Sequence, residues 1–306
     1  MLLRHVLAVV DFSVPGLHAA WRAARLAWAH DADLRLVALV AASDRRPASR
    51  FGPSAPPVRA HSDLSFLAEE IVHTLGVRTA VSVGAGGDAW EALCIQARMA
   101  DLAVLPDATA RLRMNGWWHS GLAEQLLRTT GVPVLVARRP SGVVHRRALV
   151  AADPDSKAVP ALLQAARWFC GEEGIRACHV MGPEVERHLH AADLPLPAIN
   201  AWLETAGARA RAALSRQLAQ AGLHGAQAVV LHGERIARLA LEQERSGASL
   251  LVLDKARQPW WVDLFLRAPA RRLADRVRCD VLWVPSPWRS AQSARRRLDA
   301  PRPALP

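Results

Sequence analysis

The sequence repeats itself once. RHVLAVVDFS (4–13) returns as RRALVAADPDS (146–156), each an apolar run, then Asp, then Ser two or three places on. DLAVLP (101–106) returns as SLLVLD (249–254), and VPVLVARRP (132–140) as CDVLWVPSP (279–287). GDAWEAL (87–93) returns as GERIARL (233–239). The offsets are 142, 148, 147 and 146 residues. Segments that recur in order at a near-constant offset are two copies of one unit. A chain of 306 residues has room for two, at about 150 residues per domain. Arg138–Gly142 is polar, holds helix breakers and reads as the linker. The expected domains are residues 1–140 and 145–286, with 287–306 as a tail.

Within each copy the pattern alternates. In the first, His5–Val10 reads as a strand, Leu17–His30 as a helix and Leu34–Val40 as a strand. Arg45–Arg59, with four prolines, reads as a loop. A helix is expected over Ser62–Leu75, with Ser62 as its N-cap, then a strand over Thr79–Val83 and a helix over Asp88–Met99. Leu102–Leu105 and Val132–Val136 are strands, separated by a loop and a helix over Leu122–Arg128. The second copy follows, with a long helix over Ala198–Ala221 entered after Pro195 and Pro197. Short runs of Val, Leu and Ala without polar alternation are what parallel strands buried on both faces require. Right-handed crossovers then lay helices on both faces of each sheet.

Composition narrows the function classes. Apolar types make up 51% of the residues, charged types 22%, and the mean hydropathy is +0.05, as in a soluble globular protein. No stretch approaches the roughly 18–20 apolar residues of a bilayer helix. The apolar run Val6–Val10 is shorter than the 7–15 residues of about the usual signal core, so the chain is expected in the cytoplasm. The four cysteines lie far apart without a CxxC pair, which argues for free thiols rather than a disulfide scaffold or zinc site. The net charge is +11, yet 37 of the 39 basic residues are arginine and they are spread along the chain. Clustering occurs only at Arg295–Arg297 in the Pro-rich tail, which reads as disordered. Nucleic acid is therefore a disfavoured partner.

Ligands of open parallel sheets bind beyond the carboxyl ends of the strands, where strand order reverses. Here those ends are Asp11 and Asp153 after strand one, and Pro106 and Asp254 after strand four. With VVDFS and AADPDS at the strand ends, GDAWEAL and GERIARL at helix starts, SGLAEQLLRTTGVPVLVAR (120–138) and LFLRAPARRLADRVRCDVLWV (264–284), the chain resembles tandem-domain universal stress proteins (UspA superfamily, UspE-like type). The resemblance covers nearly all of residues 1–286. It implies an α/β fold of two Rossmann-like (adenine nucleotide alpha hydrolase-like) domains, each a five-stranded parallel sheet of order 3-2-1-4-5 with helices on both faces. It also implies association of domains through the fifth strands, here Val132–Val136 and Cys279–Val284, and a homodimer or protein partners.

ATP-binding members carry G-x2-G-x9-G-[S/T] after strand four. The second copy keeps the spacing and loses the residues: Asp254, Arg257, Arg267, Ala268. The first reads Pro106, Thr109, Ser120, Gly121, with one extra residue in the long gap. No signature glycine is glycine. Proline removes an N–H donor, and a carboxylate repels phosphate. Asp11 and Asp153 match the family's strand-one acid, which contacts the nucleotide; helix capping with Ser13 and Ser156 is the competing role, and the favoured one. The cofactor-site candidates are thus Asp11, Ser120, Gly121, Asp153, Arg257 and Arg267, with ATP disfavoured as a cofactor. Arg257 and Arg267 gripping phosphate by side chain would make the chain an ATP-binding sensor or weak ATPase.

Trp117–Trp118 and Trp260–Trp261 lie after strand four of each copy, as interface anchors or as loops folded onto their own core. His188 and His190, read on an extended segment, would share a side as a metal pair; solvated surface is favoured and no metal is expected. Cys178 and His179 on a strand point to opposite faces. No serine elbow, HExxH or carboxylate pair appears. The expected function is a non-catalytic stress-response binding or regulatory protein.

Overall fold

The structure, a computed structural model, describes residues 3–40, 57–85, 89–107, 122–142, 144–191, 195–256, 276–286 and 288. The chain divides into two compact units, Leu2–Ser141 and Gly142–Pro287. In the first, the order is β1 (His5–Val10), α1 (Val14–His30), β2 (Asp33–Val40), α2 (Pro57–Leu75), β3 (Thr79–Ala85), α3 (Ala89–Arg98), β4 (Leu102–Pro106), α4 (Leu122–Thr130) and β5 (Val134–Ala137). Its strands lie in the order β3-β2-β1-β4-β5, all parallel. Both faces of the central strands are covered: Val6–Val10 and all of β4 are buried. This is why neither segment alternates in sequence.

The second unit runs β6 (Ala148–Ala151), α5 (Val159–Ala166), β7 (Ile175–Met181), α6 (Pro183–Ala191), α7 (Leu196–Gln220), β8 (Gln227–His232), α8 (Arg235–Ser246), β9 (Leu250–Ala256) and β10 (Asp280–Ser286). Its parallel order, β8-β7-β6-β9-β10, is the same 3-2-1-4-5. Side chains alternate along a strand, so the two faces of this sheet are identifiable. Gly207 of α7 lies against Met181 and His232. Arg176, on the opposite face of β7, pairs with Glu242 of α8. Helices therefore cover both faces.

Local sequence explains the helix ends, and corrects some expected ones. α1 starts at Val14 rather than Leu17, because Ser13 caps it: its hydroxyl accepts from the Gly16 N–H at 3.1 Å. Pro15 sits in the first turn, where its missing N–H has no helical partner to lose. The same logic applies to α2, which begins at Pro57, so Ser62 is inside the helix and is not its cap. α7 begins at Leu196, with Pro195 as N-cap and Pro197 in the first turn. Buried Arg22 of α1 donates to the Pro140 carbonyl at 2.9 Å, tying the linker to the first unit.

Among the described residues no helix is long and apolar enough to cross a membrane. All four cysteines are free; Cys94, Cys178 and Cys279 are buried and Cys170 partly so. Desolvation pushes the Cys178 thiol up to about 12 and the Cys170 thiol to about 11, which keeps both protonated and poorly nucleophilic.

Candidate functional site

In the first copy, β1 ends in a tight turn into α1. Phe12 adopts φ 57°, a left-handed conformation strained for a bulky side chain. Two bonds to one carboxylate oxygen hold the turn: Asp11 Oδ1 accepts from the Ser13 N–H at 3.1 Å and from the Ser13 hydroxyl at 2.6 Å. The first turn of α1 closes on the same oxygen. A Cβ built on Gly16 would lie 2.0 Å from Asp11 Oδ1 and 3.1 Å from the Asp11 nitrogen, so only glycine fits without displacing the carboxylate. Asp11 Oδ2 is buried without a hydrogen-bond partner among the described residues. Pro106 ends β4, beside Ala137 of β5.

In the second copy the turn is looser. Asp153 is exposed, and its Oδ1 accepts from the Asp155 N–H at 3.2 Å. The Ser156 hydroxyl accepts from the Ala158 N–H at 3.1 Å, but α5 starts later, after Ala158, and carries no side-chain cap. Asp254 lies on β9 opposite Val284 of β10. Its Oδ1 is buried without a partner among the described residues, and desolvation raises its pKa above the usual carboxylate value. An unpaired buried acceptor of this kind destabilises by about 1–3 kcal/mol.

Asp254 therefore makes stability pH-dependent. Its folded pKa is raised, so in the window between the unfolded and folded values the native state binds more protons. Stability falls as pH rises through that window, and the deficit is complete above it. Asp254→Asn is expected to raise the melting temperature at pH 7. The gain should disappear below about pH 3.9, the unfolded aspartate value. Thermal melts of the two proteins across pH 3–8 check this; an Asn variant no more stable than its parent at pH 7 would be the wrong sign.

Of the expected site residues, Asp11 and Asp153 stand at the ends of β1 and β6. Ser120, Gly121, Arg257 and Arg267 lie outside the described residues, as do Thr109, Ala268, both tryptophan pairs and residues 289–306. The histidine pair is corrected: residues 188 and 190 lie in α6, not on an extended segment. Two residues apart on a helix are about 200° apart, so the reason for a shared side disappears. His190 instead lies 3.9 Å from Glu186, one turn earlier. Among the described residues no group of three His, Cys, Asp or Glu is placed to hold a metal ion.

A third polar group at the strand ends was not evident in the sequence. His179 of β7 sits beside the carboxyl end of β6, and its Nδ1–H donates to the Ala152 carbonyl at 3.2 Å. Finding it required the strand order, since residues 152, 179 and 254 meet only through sheet register. Two cavities lie at the opposite, amino ends of the strands. One, of about 310 Å³, includes Arg35 and Gln96; the other, of about 540 Å³, includes Arg176 and Glu242. Each pair is hydrogen-bonded, and the pairs occupy equivalent places in the two copies.

The universal stress protein family model matches the chain twice, over residues 3–138 and 145–285. Among solved structures, a universal stress protein from Archaeoglobus fulgidus is similar at 13% identity and TM-score 0.65, with 94% of this chain and 96% of that chain covered. A functionally unknown protein from Pseudomonas aeruginosa PAO1 shares 17% identity at TM-score 0.60, covering 92% of each chain. A universal stress protein assigned as putative from Pseudomonas aeruginosa UCBPP-PA14 shares 17% at TM-score 0.59, covering 92% and 93%. At such identities these likenesses speak for the fold alone. No curated protein matches the sequence.

Proposed function

The chain belongs to the universal stress protein family, and on that footing we propose that it is a non-catalytic binding or regulatory protein of the stress response whose two nucleotide sites have degenerated. One observation carries the reading. The first residue of the phosphate-loop pattern is Pro106 in one copy and Asp254 in the other. A phosphate cradle is built from backbone N–H groups that approach closely because glycine has no side chain. Pro106 has no N–H to give. Asp254 presents a half-buried carboxylate, and a phosphate brought beside it meets like charge at reduced dielectric. Neither position allows the close backbone approach.

The chemistry of the described side chains supports the non-catalytic part. The Cys170 and Cys178 thiols are held protonated. Asp11 is engaged in fixing the β1–α1 turn. Protein partners, self-association through the fifth strands β5 and β10 to a homodimer, and a cytoplasmic setting belong to the same reading.

The test is a titration of the full chain with a fluorescent ATP analogue. No saturable binding is expected at micromolar concentrations. Saturable binding that is lost in Arg257→Ala or Arg267→Ala would replace this reading with that of an ATP sensor gripping phosphate through arginine side chains.

A further inference from the structure

We propose that the cavity of about 540 Å³ at the amino ends of β6, β7 and β8 is a site for a small organic acid, its carboxylate held by Arg147 and Arg245. It lies at the other end of the strands from the phosphate-loop position Asp254, so it stands apart from the nucleotide reading. Register builds it. Leu149 lies opposite Arg176, and Arg176 opposite Gln227. Because side chains alternate, Arg147, Arg176, Gln227 and Val229 share one face. That is the face covered by α8, since Arg176 pairs there with Glu242. Glu242 is only 5% exposed. It accepts from one terminal nitrogen of Arg176, and Gln227 accepts from the other at 2.8 Å. Arg176 is thus committed within the protein and forms part of the wall.

In the first copy the corresponding cavity, of about 310 Å³, already contains a carboxylate of the chain. Asp33 Oδ1 accepts from Arg78 Nε at 2.6 Å, and Oδ2 lies 3.6 Å from His5 Nδ1. The second copy differs at these places. Arg35 opposite Leu7 corresponds to Arg176 opposite Leu149. Two residues earlier on each strand, Gly174 stands where Asp33 does, and Arg147 where His5 does. On the helix, Arg245 stands where Met99 does, at the 146-residue offset that relates α8 to α3. The acid has become a residue without a side chain, and an apolar residue has become a cation. The fold itself requires neither change, since the first copy does without them.

Both arginines keep donors to give. Arg147 Nη1 donates to the Ser246 carbonyl at 2.9 Å, which anchors its guanidinium at the end of α8. The rest of its fork, and the whole of the Arg245 guanidinium, have no hydrogen-bond or ion-pair partner among the described residues. Of the two acids in the described lining, Glu242 is taken by Arg176, and Glu173 is exposed. A guanidinium fork matches a carboxylate in a paired hydrogen bond. α8 ends at Ser246 beside the cavity, and helix C-termini carry negative partial charge. A single carboxylate is therefore favoured there over a phosphate dianion. Val229 and Leu231, half-buried on β8, line the cavity further along and suit a short apolar body. The volume falls within the roughly 300–1,000 Å³ of small-molecule sites.

The experiment is calorimetric titration of the full chain with phenylacetate at pH 7 and low salt. Saturable binding at one site per chain is expected, because Asp33 already occupies the first cavity. Arg245→Met, which installs the residue of the first copy at an exposed position, should weaken binding about tenfold or more. Arg147→Lys, which keeps the charge and loses the fork, should weaken it as well. Arg238→Gln, exposed on the same helix but outside the described lining, should leave it unchanged. No saturable heat, or equal affinity in Arg245→Met, would overturn the proposal. Displacement of phenylacetate by an equal concentration of inorganic phosphate would overturn the choice of a carboxylate.

Discussion

His145→Ala is expected to destabilise the second unit by about 3 kcal/mol, the scale for removing the hydrogen-bond partner of a buried carboxylate together with well-packed side-chain volume. His145 Nε2 lies 2.8 Å from Asp280 Oδ2, and the two residues are 5% and 0% exposed. The imidazole also stands edge-on to Phe169, with ring centroids 5.3 Å apart. His145 lies in the segment that leads into β6, and Asp280 is the first residue of β10. Truncation removes a hydrogen bond to a fully buried carboxylate and opens a space beside Phe169. For a unit of this size the loss corresponds to a fall in melting temperature of roughly 6–12 °C. Asp280→Ala should cost a similar amount, and the double variant clearly less than the two singles together, since both singles break the same contact. Urea unfolding of the four proteins is the check. A single His145→Ala change of under about 1 kcal/mol would mean that the pair contributes little. The first copy has buried Leu3 at the matching place, so the polar pair is an addition to the fold rather than a condition of it.

Gly174→Ala should be nearly as damaging, for a steric reason. A Cβ at Gly174 would lie 2.2 Å from the Arg146 carbonyl oxygen and 3.2 Å from its carbon. Both are main-chain atoms, so no side-chain rotation relieves the clash. Gly174 closes the short 3-10 turn Glu172–Gly174 that delivers the chain into β7. Arg146 lies two residues before β6, the strand to which β7 pairs. Either the turn or the start of the β6–β7 ladder has to move. Overpacking against backbone of this kind falls at the upper end of the usual 1–3 kcal/mol, about 3 kcal/mol here. Gly171→Ala, three residues earlier, is the control. Nothing lies within 4 Å of a Cβ there, and the backbone is extended at φ −66° and ψ 166°. It should change stability by less than about 0.5 kcal/mol. Equal effects at the two positions would contradict this account of Gly174.

The fold was legible because burial on both faces leaves a strong trace. Val6–Val10 and Leu102–Leu105 read as unbroken apolar runs, and they are the central strands. The doubled pattern then fixed the number of copies, and 3-2-1-4-5 order followed from the family resemblance. Prolines were harder to read. Pro57, Pro195 and Pro197 look like breakers, yet each sits where a helix begins and an N–H has no partner to lose. The three residues 188–190 are too few to show a period by themselves; the helical backbone of α6 belongs to the longer segment Pro183–Ala191.

The site was legible in part. A carboxylate at a strand end, two residues before a serine, signals both a ligand position and a cap, and Asp11 with Ser13 forms the cap-like turn. Gly16 carried a further signal, a glycine in a first helical turn close behind an aspartate. Its contact depends on the φ of Phe12, which no local pattern announces. The placing of His179, Ala152 and Asp254 at the same strand ends could not be read at all without register, because Ala152 is 27 and 102 residues from the other two in sequence.

The loss of phosphate binding at Pro106 and Asp254 is tested most directly by native mass spectrometry of the full chain, purified without added nucleotide and then mixed with a modest excess of ATP and magnesium. The expected spectrum holds only the bare protein and its oligomers. A stoichiometric adduct of one or two ATP per chain would contradict it.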